Sequence, residues 1–133
     1  MNTLSTNLSR SADSARAARQ LVNGHTASLA SQQREDAVLM VSELVTNAVL
    51  HGVGAISLRI DAEGDTVRVE VADEGNVALA PSPEPGAHGG WGLRIVEQLA
   101  DDWGVLEGST KVWFRLWVAP VAMTSPRVRQ RRT

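Results

Sequence analysis

Cysteine is missing from all 133 residues. That excludes disulfides, thiolate nucleophiles and cysteine-ligated zinc, and it fits a reducing compartment. Positive charge is not in excess either: 13 Lys and Arg stand against 15 Asp and Glu, a formal net charge of −2. Broad nucleic-acid binding needs a positive surface, so no direct nucleic-acid contact is expected. Long apolar runs are also lacking. No stretch approaches the ~18 uninterrupted apolar residues of a membrane helix, so no membrane contact is expected. The first thirty residues have no basic start followed by an apolar run, hence no secretory leader. A soluble, cytoplasmic protein is expected. What is present is 43% hydrophobic residues, enough for one compact domain with a real core.

The chain divides into a polar segment 1–10, expected to be flexible, a single domain over 11–119, and a tail over 120–133. The last eight residues, PRVRQRRT, carry four arginines and nothing to pack. They read as a flexible basic tail, for solubility or for contact with an acidic partner. Within the domain, Ala12, Ala15, Ala18 and Val22 recur at helical spacing and predict a helix over about 12–23. Arg19 falls inside its apolar arc and has to extend its head to solvent. A longer helix is predicted over about 32–51. Its Ala37, Val38, Val41, Val45 and Ala48 share an arc of roughly 100°, and Gly52 reads as a left-handed cap.

Strict alternation marks AISLRI (55–60) and TVRVEVAD (66–73) as strands of an antiparallel hairpin joined by turn residues. Residues 74–92 hold three prolines and five glycines. A loop this long in a small domain is uncommon and usually functional or disordered. A helix is expected from Leu93, then a short strand in DWGVLEG, then a long strand over 111–119. In that last strand Val112, Phe114, Leu116 and Val118 face the core, with Trp113 and Trp117 on the other side. The fold class implied is α/β: a two-layer sandwich whose mixed, largely antiparallel sheet is covered on one face by helices.

Four short patterns carry chemistry. In VSELVTNAVLHG (41–52), Glu43 and Asn47 lie four residues apart and so point the same way from one helix. An amide oxygen suits a hard cation such as Mg2+, and a carboxylate can take a proton from a hydroxyl. The same stripe is also what a solvated helix flank looks like. Asp73 ends a strand two residues before Gly75. The carboxylate can accept a hydrogen bond from an exocyclic amine while glycine admits a flat ring, although D-x-G is also ordinary turn chemistry. Gly89, Gly90 and Gly92 precede Leu93, where backbone N–H groups at a helix start favour an anion. No Gly-Lys-Ser/Thr follows, so this is not a Walker A loop. Thr110 can reach a ligand or cap a turn. His25, His51 and His88 have no metal-ligand spacing.

The order of these patterns is more specific than any one of them. Glu43/Asn47, Asp73/Gly75, Gly90/Gly92/Leu93 and Thr110 follow one another as in the Bergerat-fold ATP-binding domain of histidine kinases and gyrase. VSELVTNAVLHG, GLRIVEQLADDWGV and KVWFRLWV resemble in particular the bacterial anti-sigma-factor serine kinases, over about residues 12–118. The resemblance implies ATP and magnesium as cofactors. Asn47 would ligate Mg2+ and Glu43 would be the catalytic base. Asp73 and Gly75 would hold adenine, with Thr110 in support. Gly90, Gly92 and Leu93 would meet the phosphates, under a lid formed by the 76–91 loop. The partners implied are an anti-sigma antagonist phosphorylated on serine and a sigma factor, and a homodimer is possible. One position departs from the family pattern: Val77 stands where the second glycine of Asp-x-Gly-x-Gly is usual. That departure motivates an alternative, a non-catalytic protein-binding module with weak, structural or absent nucleotide binding.

Overall fold

The computed structural model describes residues 2–75, 90–106 and 110–119. Its elements are β1 (Asn2–Leu8), α1 (Ser14–Gly24), α2 (Ser31–His51), β2 (Ile56–Glu63), β3 (Thr66–Ala72), α3 (Gly90–Leu99), β4 (Asp102–Val105) and β5 (Val112–Trp117). The strands form one sheet in the order β1-β2-β3-β5-β4. Each neighbouring pair is antiparallel. The three helices lie on one face, α2 between α1 and α3 and against the central strands.

Alternation on the strands decides which face is covered. Ile56, Leu58 and Ile60 of β2, Val67, Val69 and Val71 of β3, and Val112, Phe114 and Leu116 of β5 are all buried beneath the helices. Ala18 and Val22 of α1, Met40, Val41, Leu44 and Val45 of α2, and Leu93 and Val96 of α3 close the core from above. The buried arc of α2 is shifted from its predicted position. Met40 and Leu44 are in it, whereas Val38 is only half-buried, because α2 is flanked by a helix on each side as well as by the sheet. Arg19 is half-buried, and its guanidinium donates to Ser42 Oγ of α2 at 2.9 Å. Gln33, buried at the start of α2, accepts from the Ala30 and Ala119 N–H groups at 3.2 and 3.1 Å and donates to the Trp117 carbonyl. It thereby ties the helix start to the end of β5.

Two expectations are corrected. Residues 2–8 are not a frayed terminus but edge strand β1, paired with β2 from Asn2↔Ala62 to Leu8↔Ile56. Leu8 is buried and Leu4 half-buried against the core; an open β2 edge and two leucines suffice to recruit the segment. The third helix begins at Gly90 rather than Leu93. The ~1 kcal/mol that a glycine costs within a helix is outweighed once Leu93 and Val96 are anchored in the core. In the β2–β3 hairpin, Gly64 has φ of 60°, the positive value that a two-residue turn between Glu63 and Thr66 requires at its first position.

The uncovered face is polar. Arg68 pairs with Glu70 and stacks over Trp113 at 4.8 Å, and Arg115 lies near Trp113 and Trp117 while bonding Asp102 at 2.9 Å. The tryptophans on this face are thus partly roofed by guanidinium groups. Further out, Asp61 accepts from Arg59 Nε at 2.9 Å and from Thr3 Oγ1 at 2.8 Å. The Arg59 hydrogen bond, opposed by burial, holds the Asp61 carboxyl below its ordinary value. A depressed folded-state pKa contributes stability that is present above the unfolded pKa and lost as pH falls through the folded one. Asp61→Asn is therefore expected to lower the thermal midpoint slightly at neutral pH and to flatten its decline under acid. Midpoints measured across the acid range check this, and an unchanged acid slope would count against it.

Candidate nucleotide site

The C-terminal end of α2 and the C-terminal end of β3 meet at a cleft. Its walls are Leu44, Asn47, Ala48, His51, Gly52, Val71, Ala72, Asp73, Thr110 and Val112, around a narrow space of about 30 Å³ that opens to solvent. Apolar residues from α2, β3 and β5 form most of the floor. Among the polar groups, Asp73 and Thr110 are joined by hydrogen bonds, while Asn47 and His51 line the cleft from α2.

Asp73 is the most constrained of these polar groups. Its Oδ1 accepts the Gly75 N–H at 2.6 Å. The buried Thr110 hydroxyl accepts the Asp73 N–H at 3.3 Å and lies 3.1 Å from Oδ1 and 3.2 Å from the Asp73 carbonyl, donating its one proton between them. Thr110 thus orients the carboxylate from the neighbouring strand end. On the opposite side Oδ2 packs against Gly52. A Cβ at Gly52 would stand 2.7 Å from Asp73 Cγ and 2.6 Å from the Ala48 carbonyl oxygen. Gly52 is not a left-handed cap: its φ of −87° and ψ of −173° are extended. The position requires glycine for space rather than for conformation.

A second contact fixes the same corner. Arg10, just beyond β1, donates through one terminal nitrogen to the Ala48 and Val49 carbonyls at 2.8 and 2.6 Å, and through Nε to the Gly54 carbonyl at 3.1 Å. A cation at a helix C-terminus meets both its free carbonyls and its dipole. The Glu74 N–H then donates to the Val53 carbonyl at 2.7 Å, so residues 52–54 and 73–75 are clamped together. Gly54 has φ of 70°, which lets this tight turn form beside Glu74. The sequence reading passed over both Arg10 and the spatial role of Gly52. The glycine that ends VSELVTNAVLHG was the available signal for the second.

Of the residues expected to form the site, Asn47, Asp73 and Thr110 come to one cleft from three separate elements. Gly75 adjoins it through its bond to Asp73. Glu43 is half-buried one helical turn before Asn47 and is not among the lining residues. Gly90 and Gly92 lie in the first turn of α3. Leu93 is fully buried and belongs to the core beneath that helix. His51, which has no metal-ligand spacing in the sequence, is exposed at the end of α2 and lines the cleft. Val77, His88, Gly89 and most of the expected 76–91 lid lie outside the described residues, as does the tail from 120.

The donor set can be tested against a cation. Among the described residues no three His, Cys, Asp or Glu side chains cluster as a metal cage. An Mg2+ ion commonly takes one or two protein oxygens and completes its shell with phosphate and water, and the single amide of Asn47 fits that mode. Among the described residues no helix is long and apolar enough to cross a membrane.

A family model for the histidine kinase-like ATPase domain matches residues 8–116. The chain belongs to that family. The matched segment contains Asn47, Asp73 and Thr110, which share the cleft although 63 positions separate the first from the last. The structure is also similar to the solved RsbU and RsbW domains of Rv1364c from Mycobacterium tuberculosis, with a TM-score of 0.65 and 24% sequence identity. That match covers 89% of this chain and 32% of the other, so the chain spans about a third of that protein's length and the likeness is one of fold. No curated protein matches the chain in sequence.

Proposed function

We propose that this ATPase-family domain binds ATP with Mg2+ in the α2–β3 cleft and transfers the γ-phosphoryl group to a serine of a partner protein. By its resemblance to anti-sigma-factor kinases, that partner is an anti-sigma antagonist, and the protein also restrains a sigma factor by binding it. The observation that carries this reading is the Asp73 carboxylate, held by Thr110 and Gly75 in a cleft also lined by apolar residues, with Asn47 lining it from α2. A fixed acceptor beside an apolar slot suits the amine edge of a purine. Gly75, which has no side chain, would let the ring lie close.

The roles divide between the two walls. Asp73, supported by Thr110, accepts from the adenine amine. Asn47 supplies an amide oxygen to the cation, which when bound offsets charge on the phosphates. Glu43, one turn before Asn47, takes the proton of the serine hydroxyl as its oxygen bonds to the γ-phosphorus and the bond to the β–γ bridging oxygen breaks, releasing ADP. Little covalent assistance is required, and positioning does most of the work. Gly90 and Gly92 at the start of α3 contribute backbone N–H groups to the phosphates.

Calorimetric titration with ATP and Mg2+ tests the reading. The protein is expected to bind in the micromolar range, and Asn47→Ala to bind at least about tenfold more weakly, a loss of ~1.4 kcal/mol. The variant's loss is expected to shrink when Mg2+ is omitted, because the amide acts through the cation. Absence of binding at millimolar ATP would remove the nucleotide reading.

A further inference from the structure

The corner that holds Asp73 gathers negative charge. α2 ends there, with the outward carbonyls and partial negative charge of a helix C-terminus. The Asp73 carboxylate packs against Gly52, and the Glu74 carboxylate lies where a Cβ of Gly54 would stand. Carbonyl oxygens and carboxylates repel one another at such range. Residues 52–54 and 73–75 stay together against that repulsion, and Arg10 supplies the opposing charge. Its guanidinium spans the Ala48, Val49 and Gly54 carbonyls. A lysine ammonium has no planar fork with which to hold three acceptors in fixed places.

Arg10 is itself held in place. Leu8, two residues before it, is buried and paired with Ile56. Buried Ser14 brackets the other side: its hydroxyl accepts the Ser11 N–H at 3.1 Å and donates to the Ser9 carbonyl. The main chain around Arg10 is therefore fixed although the residue is exposed. An exposed arginine that served solubility alone would need no such support.

We infer that Arg10 is a positioning residue that sets base specificity at the nucleotide site. It does not line the cleft. It holds the end of α2 against the end of β3, and so keeps the Asp73 carboxylate where an adenine amine can donate to it. The inference rests on the nucleotide reading above and adds a residue outside the cleft that governs the choice of base. Inosine triphosphate differs from ATP at the relevant edge, where a carbonyl oxygen replaces the exocyclic amine. A fixed carboxylate accepts from the amine and repels the carbonyl. A carboxylate free to shift discriminates less, so loss of Arg10 falls mainly on ATP.

Calorimetric titration of the full chain with ATP and with inosine triphosphate, each with Mg2+, reads this. Arg10→Gln is expected to bind ATP about five- to tenfold more weakly than wild type and inosine triphosphate within about twofold of it, so that the preference for ATP shrinks. Arg10→Lys keeps the charge without the fork and is expected to recover part of the preference. General loosening of the fold would weaken both nucleotides alike, so parallel losses would overturn the inference, as would an unchanged preference. Amide exchange without nucleotide gives a second reading. In Arg10→Gln the Glu74 amide, which donates to the Val53 carbonyl at 2.7 Å, is expected to lose protection while the β2–β3 ladder keeps its own. Equal protection of Glu74 in variant and wild type would also overturn the inference. A wild type that binds neither nucleotide would remove the nucleotide reading and the specificity role with it, and the Glu74 amide would still decide whether Arg10 holds the corner.

Discussion

Glu43→Gln is expected to leave the ATP dissociation constant within about twofold and to cut phosphoryl transfer by ~10²–10⁴-fold, the usual contribution of a general base. Glutamine keeps the length and hydrogen-bonding capacity of the side chain and removes only its ability to take a proton. Glu43 lies one turn before Asn47 on α2 and outside the set of residues that line the cleft. Its loss therefore leaves the nucleotide contacts intact. The fall is expected near the lower end of that range, because in phosphoryl transfer positioning and electrostatics dominate and deprotonation comes late. Transfer of labelled γ-phosphate to a serine-containing partner, measured beside calorimetry on the same variant, separates the two effects. Transfer at the wild-type rate would remove Glu43 as base. Loss of transfer and binding together would place it in the nucleotide pocket instead.

How much of this was legible in the sequence depends on what each residue's partner is. α2, the β2–β3 hairpin and β5 follow from periods of 3.6 and 2 that side-chain burial imposes on the sequence itself, and all three occur close to where that pattern puts them. β1 is different. Leu4 and Leu8 alternate with polar residues, but two leucines in seven positions do not distinguish a strand from a frayed end. The edge of β2 decides the matter, and that is a tertiary fact. In the site, Asn47, Asp73 and Thr110 were visible because each patch has a recognisable chemistry in a fixed order. Arg10 was not, because its acceptors are the carbonyls of Ala48, Val49 and Gly54, and a carbonyl leaves no mark on residue identity. Gly52 was visible but misread. Local grammar offers one reason for a glycine after a helix, a positive φ, whereas the reason here is a carboxylate 21 positions away.

That reason has a consequence for binding. Gly52→Ala keeps a backbone conformation that alanine adopts freely, φ −87° and ψ −173°, so its effect comes from the methyl group meeting the Asp73 carboxylate and the Ala48 carbonyl oxygen. To make room, Asp73 has to leave the position set by Gly75 and Thr110. The adenine amine then loses an ionised acceptor, worth roughly 1.5–3 kcal/mol, and ATP affinity is expected to fall by about 10- to 100-fold. Asp73→Asn is expected to do the same by another route. The amide oxygen stays with the Gly75 N–H and Thr110, which leaves an NH₂ group facing the adenine amine, donor against donor. Because both substitutions act through one carboxylate, their effects are expected not to add. The double variant should bind ATP about as weakly as the weaker of the single variants, which calorimetry with a competing tight ligand can resolve. Additive losses would mean that Gly52 and Asp73 reach the nucleotide separately, and that the close packing of the two does not position the carboxylate.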